Sequence, residues 1–317
     1  MTRPSDIIIG ARTLADLFAE HQAWMLDPSQ GRRFQLHGVT MNDLDLRGVR
    51  ISGAVFDGVT LLEADVSQAD LRNATLNGVD LGRSLLKGSD LSGSRMTRVS
   101  FALADLGESA LIECRIDAAD FRQSRLSQVR FHEAQVIKSL FAGALLTGTQ
   151  FHNSRFSDCD FSRAKVKTAE FARVVLQNCR MYGMSGENAK FSNSKFSGCD
   201  LSASDLWGAK MEHCDFRDCR IVSANLAGAD LVDAGLGGCD LSNTSLREAR
   251  LQGARLLAAN FAGADLRGAT GLTQDQLSQA RTDTDTVLPS GARGPFIKYT
   301  GHERPEGGSV QTPVYRW

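Results

Sequence analysis

The 317-residue sequence lacks most of what marks an enzyme, a membrane protein or a secreted protein. No apolar run approaches the ~18 residues that a membrane-crossing helix needs. At the N-terminus the only apolar cluster is Ile7-Ile8-Ile9, too short for the core of a secretion signal, so the cytoplasm is the expected compartment. An excess of one charge sign is missing too. Lys and Arg number 36 against 37 Asp and Glu, a net of −1, which makes nucleic acid an unlikely general partner and acidic mimicry no better indicated. No G-x-S-x-G, H-E-x-x-H or G-x-x-x-x-G-K-[ST] occurs, and each of those spacings serves a particular catalytic or phosphate-holding geometry. Gly235-Leu236-Gly237 reads as part of a corner, not as a dinucleotide loop. The seven cysteines never fall as C-x-x-C, which removes the usual zinc reading. Nothing here calls for an enzyme, a cofactor or a metal.

What is present is a five-residue word. From Leu36 to Leu266 every fifth residue, forty-seven positions without insertion or deletion, is Leu, Phe, Ile, Val or Met, except Gly186. Two residues before each stands a second series that is Ala, Ser, Cys, Thr or Val at all but Phe34, Leu44 and Met184. In extended chain, residues two apart share a face, so both series point inward. The other three positions face solvent or turn a corner. Glycine is frequent two after the large residue (Gly48, Gly53, Gly58, Gly78, Gly88), where a sharp corner suits its backbone freedom. All seven cysteines sit in the small series and read as small buried side chains. A short fixed period overrides the usual expectation of one or two globular domains and predicts a solenoid.

The number of words per coil is also legible. Along the small series, Cys159, Ala169, Cys179, Ala189, Cys199, Ala209, Cys219, Ala229, Cys239 and Ala249 recur in type at twenty, not ten. The large series agrees, with Phe101, Phe121, Phe141 and Phe161 in one run and Phe131, Phe151, Phe171 and Phe191 in another. Like stacks on like in successive coils, so a coil has twenty residues and four sides. Words such as Ala64-Asp65-Val66, Ala69-Asp70-Leu71, Ala104-Asp105-Leu106, Ala224-Asn225-Leu226, Ala229-Asp230-Leu231 and Ala264-Asp265-Leu266 resemble the A-[DN]-L-x-x pattern of the pentapeptide repeat family. That resemblance implies an all-β fold, a right-handed quadrilateral parallel β-helix. Forty-seven words make about twelve coils, roughly 55 Å long at about 4.8 Å per coil.

The ends differ from the ladder. Residues 1–33 form an N-terminal segment in which Thr13 to about Met25 reads as an amphipathic helix, capped by Thr13 with Asp16 three residues on, and expected to lie over the first coil as a lid. His21 on it reads as a lid or surface residue. Residues 34–271 are the repeat. Thr273 starts a second short helix within 272–288; the G-A-T-G-L-T-x-x-Q-L ending from Gly268 looks like that of many bacterial members of the family. Residues 289–317, with four of the six prolines, read as an extended or flexible tail.

Candidate functional residues are those that break or exceed the rule. The aspartates one before the large position (Asp65, Asp70, Asp80, Asp90, Asp105) resemble carboxylate pairs, but they occupy the family's structural Asp/Asn slot. His132 and His152 should be neighbours without further metal ligands. Residues 115–195 hold 13 Lys and Arg against 7 Asp and Glu, and Arg95, Arg115, Arg155 and Lys195 share one outward column. Ile112, Ile137, Leu140 and Leu145 are apolar at outward positions, a candidate patch. Tyr315, Arg316 and Trp317 are interface-type residues. At Met184 and Gly186 the small and large slots are exchanged, read first as Met184 filling the room Gly186 leaves and second as a bulge.

Together these predict a non-enzymatic scaffold that presents side-chain columns to a protein partner, with a homodimer left open. Two alternatives come from the resemblance. One is a gyrase-binding or topoisomerase-binding DNA mimic, as the family's fluoroquinolone-resistance proteins are, from which this chain departs by its near-neutral charge and its basic middle. The other is an adaptor or effector associated with type VI secretion.

Overall fold

The computed structural model describes residues 1–305, and their main body is a parallel β-solenoid with four sides per coil. Two short antiparallel strands, β1 (Ile8–Ile9) and β2 (Arg12–Thr13), precede the helix α1 (Leu14–Leu26). Nine three-residue strands follow at twenty-residue intervals, from β3 (Gln35–His37) to β11 (Lys195–Ser197), and pair in register into one parallel sheet. That sheet is side A. The other three sides are files of single bridges with the same twenty-residue offset. Side B begins with Thr40 opposite Thr60, side C with Asp45 opposite Asp65, and side D with Arg50 opposite Asp70.

The nine strands of side A define about eight turns of paired sheet, fewer than the twelve coils expected. Beyond them side A continues by single bridges through Asp215, Gly235 and Arg255. Gly38 N–H donates to the Asp57 carbonyl at 2.8 Å and so ties the end of one strand to the next. The same bond recurs beyond the sheet, from Asp218 N–H to the Gly237 carbonyl at 3.2 Å and from Gly238 N–H to that of Leu257 at 3.0 Å, so coil remains tied to coil where the rung shortens to one residue.

Each word makes one side and one corner. The large residue is inward and buried, and so is the small one two before it except at Val39 and Val49, which are half-buried. The residue two after the large one takes a left-handed backbone at all forty-seven corners, seventeen of them Gly and thirty not. Leu103 (φ 62°) and Thr168 (φ 56°) are among the thirty, at a cost of about 1–2 kcal/mol each relative to ordinary backbone. The corner is held by the carbonyl of the large residue, which accepts the N–H three residues on, as Leu91 does from Ser94 at 3.1 Å. A carbonyl has a second lone pair. In many coils the small slot of the following coil fills it: Cys114 Sγ donates to Leu91 O at 3.1 Å, Thr149 Oγ1 to Leu126 O at 2.6 Å, and Cys239 Sγ to Phe216 O at 2.6 Å. Ser, Thr and Cys are therefore admitted to a buried position on a definite hydrogen bond.

Phenylalanine fills the middle of the tube in stacks. Phe101, Phe121, Phe141 and Phe161 follow one another at 5.0, 4.7 and 4.6 Å between ring centroids. Phe131, Phe151, Phe171 and Phe191 do so at 5.2, 4.4 and 4.8 Å. Those spacings are the rise of one coil, which is why residue type repeats at twenty. Each fully buried ring is worth on the order of 1.5–3 kcal/mol. All seven cysteines are buried and free, and burial raises the Cys114 thiol to about 11 and those of Cys214 and Cys239 to about 12. At Gly186 the pairing is unbroken: Ser185 bridges both Lys165 and Asp205. The exchange with Met184 is thus a packing event and not a bulge.

Both ends are covered. Thr13 and Asp16 form a reciprocal cap at the start of α1. Its His21 is fully buried and ties the helix to the tube. Phe34 N–H donates to His21 Nδ1 at 2.8 Å, which leaves Nε2 as the protonated nitrogen, 3.0 Å from the Ser52 carbonyl it donates to. At the far end α2 (Gln274–Ser278) is capped by Thr273, and Gln276 Nε2 donates to the Ala254 carbonyl at 2.8 Å. The chain then rejoins the ladder at Arg281 and Val287. Residues 289–305, expected to begin a loose tail, are laid over the tube as turns: Pro289 is buried, Phe296 packs against the core and Glu303 is 5% exposed. Burial of Pro289 and Phe296, with the bond from Gln274 Nε2 to Glu303 Oε1 at 3.3 Å, supplies the ordering that the sequence pattern did not show.

Candidate functional site

The sequence-derived candidates fall into different environments. The aspartates are structural. Asp65, Asp70, Asp80, Asp90 and Asp105 each accept, through Oδ1, the N–H of the residue two on, at 2.9–3.2 Å. Where that residue is Arg a bidentate pair forms as well, as between Arg72 and Asp70 at 2.8 and 2.7 Å. Arg47 in the same arrangement lowers the Asp45 carboxyl to about 2. His132 and His152 stack at 4.9 Å, and each Nε2 meets an oxygen at 3.0 Å, Gln150 Oε1 and Glu170 Oε2 respectively. Among the described residues no group of three or more His, Cys, Asp or Glu could hold a metal ion.

Arg95, Arg115, Arg155 and Lys195 all point out of side A, as first residues of strands in one sheet, and all are exposed. Arg95 and Arg115 are direct register partners, and Gln135 and Val175 separate the others. Arg98 and Lys138 on the adjoining corner have the same sign, whereas Asp117 and Asp158 oppose it. Among the described residues none of the four cations of the column is in an ion pair. Their charge is uncommitted on a flat surface.

The apolar candidates are not gathered onto one face. Ile112 lies on side D, Ile137 on side A, Leu140 on side B and Leu145 on side C, so they run around the tube. Ile137 is exposed and the other three are half-buried. Leu140 is flanked in its file by Asp120 and Asp160, and Leu145 by Arg125 and Lys165. Tyr315, Arg316 and Trp317 lie outside the described residues.

Two recesses escaped the sequence reading. One, of about 790 Å³, lies between the end of α1 and side D, with Trp24 and Met25 facing Arg50 and the Arg72–Asp70 pair. The other, of about 680 Å³, is on side A where Gly235 and Gly237 stand. Gly237 is in the corner turn, as expected, with Gly238 (φ 69°) as its left-handed residue and Cys239 N–H given to the Leu236 carbonyl at 3.1 Å, whereas Gly235 is the bridge residue of the side before it. Counting words would have shown the bare strip, since positions 235 and 237 are the two outward slots that flank Leu236.

A model described as pentapeptide repeat region matches residues 149–226, and one described as pentapeptide repeats (8 copies) matches 40–78, 64–102, 74–111, 124–167 and 234–270. Among solved structures, the chain is similar to HetL, a pentapeptide repeat protein involved in heterocyst differentiation regulation from the cyanobacterium Nostoc. Identity is 21% over 85% of this chain and 97% of that one, with a TM-score of 0.30. It is similar to QnrB1, a plasmid-mediated fluoroquinolone resistance protein, at 18% identity over 60% and 91%, with a TM-score of 0.36. A pentapeptide repeat protein from the Arabidopsis thaliana thylakoid lumen is 28% identical over 38% and 68%, with a TM-score of 0.20. No curated protein matches.

Proposed function

The chain belongs to the pentapeptide repeat family, and on that premise we propose that it is a non-enzymatic scaffold that docks an acidic protein surface on side A. The observation that carries this reading is the column Arg95, Arg115, Arg155 and Lys195: exposed cations in register on a flat sheet, without ion-pair partners among the described residues. Such charges attract and orient a partner of opposite sign at little desolvation cost before contact. The DNA-imitating alternative needs an acidic face, and the middle of side A has the opposite sign. Ile137 beside this column adds an apolar contact. A reducing compartment such as the cytoplasm suits seven free thiols, and no helix among the described residues is long and apolar enough to cross a membrane. Both ends are covered, so a homodimer would form through the sides.

Four charge reversals, R95E, R115E, R155E and K195E, test this. A host protein captured by the unaltered chain should be lost by the quadruple variant at unchanged thermal stability, and its capture should fall as salt rises. Equal capture by both forms refutes the reading.

A further inference from the structure

Gly235 and Gly237 form the only coil in the repeat whose two outward slots on one side are both glycine. The strip of side A there is bare backbone, and it lies between two rungs that have large side chains. One wall is Asp215 with Arg217, whose guanidinium is held by Nε on Oδ1 at 2.8 Å and Nη2 on Oδ2 at 2.7 Å. That pair holds the Asp215 carboxyl below the ordinary carboxylate range. The other wall is Arg255 with Leu257, which is 67% exposed. Arg255 is exposed and in no ion pair among the described residues. Its Nη2 leans over the trench, 3.1 Å from where a Cβ on Gly235 would stand.

The walls are two coils apart, roughly 9.6 Å at about 4.8 Å per coil. Allowing for the half-thickness of each wall, the free gap is close to one layer of side chain. A flat ring slid in edgewise restores the missing rung. It would lie between the Arg255 guanidinium, a favourable setting for an aromatic face, and the Asp215–Arg217 pair, whose Asp215 Oδ1 stands 3.3 Å from the position of a Cβ on Gly235, with its edge on Leu257. On the floor, Gly235 N–H is given to the Cys214 carbonyl at 2.8 Å and Gly238 N–H to that of Leu257 at 3.0 Å. Gly237 N–H, the donor that an aspartate two residues earlier holds in other coils, has no acceptor among the described residues. Polar attraction comes from Arg255, which is in no ion pair among the described residues, and from Gly237 N–H.

We propose that the Gly235–Gly237 trench is a second docking site, which takes an aromatic side chain of a partner protein with an acidic residue beside it to pair with Arg255. This deepens the scaffold reading, and it can be tested apart from it, because the trench lies beyond the column that the charge reversals alter.

The probe is the blocked dipeptide N-acetyl-Trp-Glu-amide, titrated while the amide resonances of Gly235, Gly237 and Gly238 are followed by NMR. Saturable shifts confined to this coil are expected, with a dissociation constant on the order of 1 mM, the scale for a small fragment. N-acetyl-Leu-Glu-amide should bind at least ~10-fold more weakly. The variant Gly235→Thr with Gly237→Gln fills both slots with residue types found there in other coils (Thr75, Gln177). It should fold at least as stably, because glycine weakens a strand, and it should no longer bind. Its loss of binding therefore cannot be laid to unfolding. Absence of shifts at ~20 mM probe, twenty times the expected constant, overturns the proposal, as does equal binding of the leucine analogue or of the filled variant. If the reversal of Arg95, Arg115, Arg155 and Lys195 is silent in partner capture while the trench still shifts, the column reading fails and this one stands.

Discussion

Gly186 and Met184 allow the packing argument to be tested in one cycle of variants. In the large file, Gly186 lies between Val166 and Leu206; in the small file, Met184 lies between Ala164 and Ser204. Met184 is fully buried, so its long side chain needs room that its own file does not supply. The vacated large slot is two residues away and already closed. A Cβ on Gly186 would stand 2.8 Å from Leu206 Cδ2 and 3.0 Å from Val166 Cγ2. Gly186→Leu alone therefore forces carbon atoms into filled space, at about 1–3 kcal/mol. Met184→Ala alone leaves a cavity, at about 2–5 kcal/mol. Together they rewrite the word in its usual form, small then large, and the double variant should lie within about 1 kcal/mol of the parent. The expected coupling is thus at least about 2 kcal/mol, at the upper part of the range for residues in contact. A long repeat array need not unfold in one step, so urea midpoints should be accompanied by hydrogen exchange at the Ser185, Gly186 and Asp205 amides. Additive losses, within about 0.5 kcal/mol of the sum, would refute the claim that the two residues share one volume.

Two further outcomes follow from the same geometry. His21 is held below its ordinary pKa, chiefly by burial, so the unfolded chain takes up the proton more readily than the folded one. The stability it contributes is full above the unfolded value near 6.5 and falls as pH drops through the folded value, because a protonated Nδ1 can no longer accept the Phe34 N–H. Amides of α1 should exchange faster at pH 5 than at pH 8 after correction for intrinsic rates. In His21→Gln that pH dependence should disappear, and an unchanged dependence would show that His21 is not its source. Thr168, a β-branched residue at φ 56°, should be improved by Thr168→Gly. Relief of about 1–2 kcal/mol exceeds the roughly 0.4–1 kcal/mol of added unfolded-state entropy, so a small rise in the urea midpoint is expected and a fall would show that the corner is not strained.

The parts of the fold legible in the sequence are those in which one coil repeats the next. Phe stacks on Phe and Cys on Cys because the rings and thiols lie one coil rise apart, so the period of twenty is written in residue type. The Asp slot was legible for the same reason. The corners were read only where glycine marks them, yet Thr168, Leu103 and twenty-eight other non-glycine residues take the same backbone; the hydrogen bonds on either side dictate the angle, and the side chain merely bears it. Residues 282–305 have no period, so their packing through Phe296 and Glu303 had no signature to read. Side A's unpaired cations were visible as a column, but the pairing that neutralises Arg72, Arg122 and Arg217 on the other rungs depends on side-chain placement. The candidate patch around Ile137 was drawn from closeness in sequence, and in a four-sided tube nine residues pass two corners.

The backbone hydrogen bonds between coils run lengthwise and join residues nineteen or twenty-one positions apart, as Met41 N–H to the Thr60 carbonyl and Val55 N–H to that of Phe34. A pull on the two ends therefore acts along the same direction as the bonds, but meets them one coil at a time, since the chain is a single winding thread. Each coil released yields twenty residues of slack, about 70 Å of extended chain, for a loss of about 4.8 Å of tube. Under tension the rod is a tether that pays out in equal lengths, and it stays rigid between them.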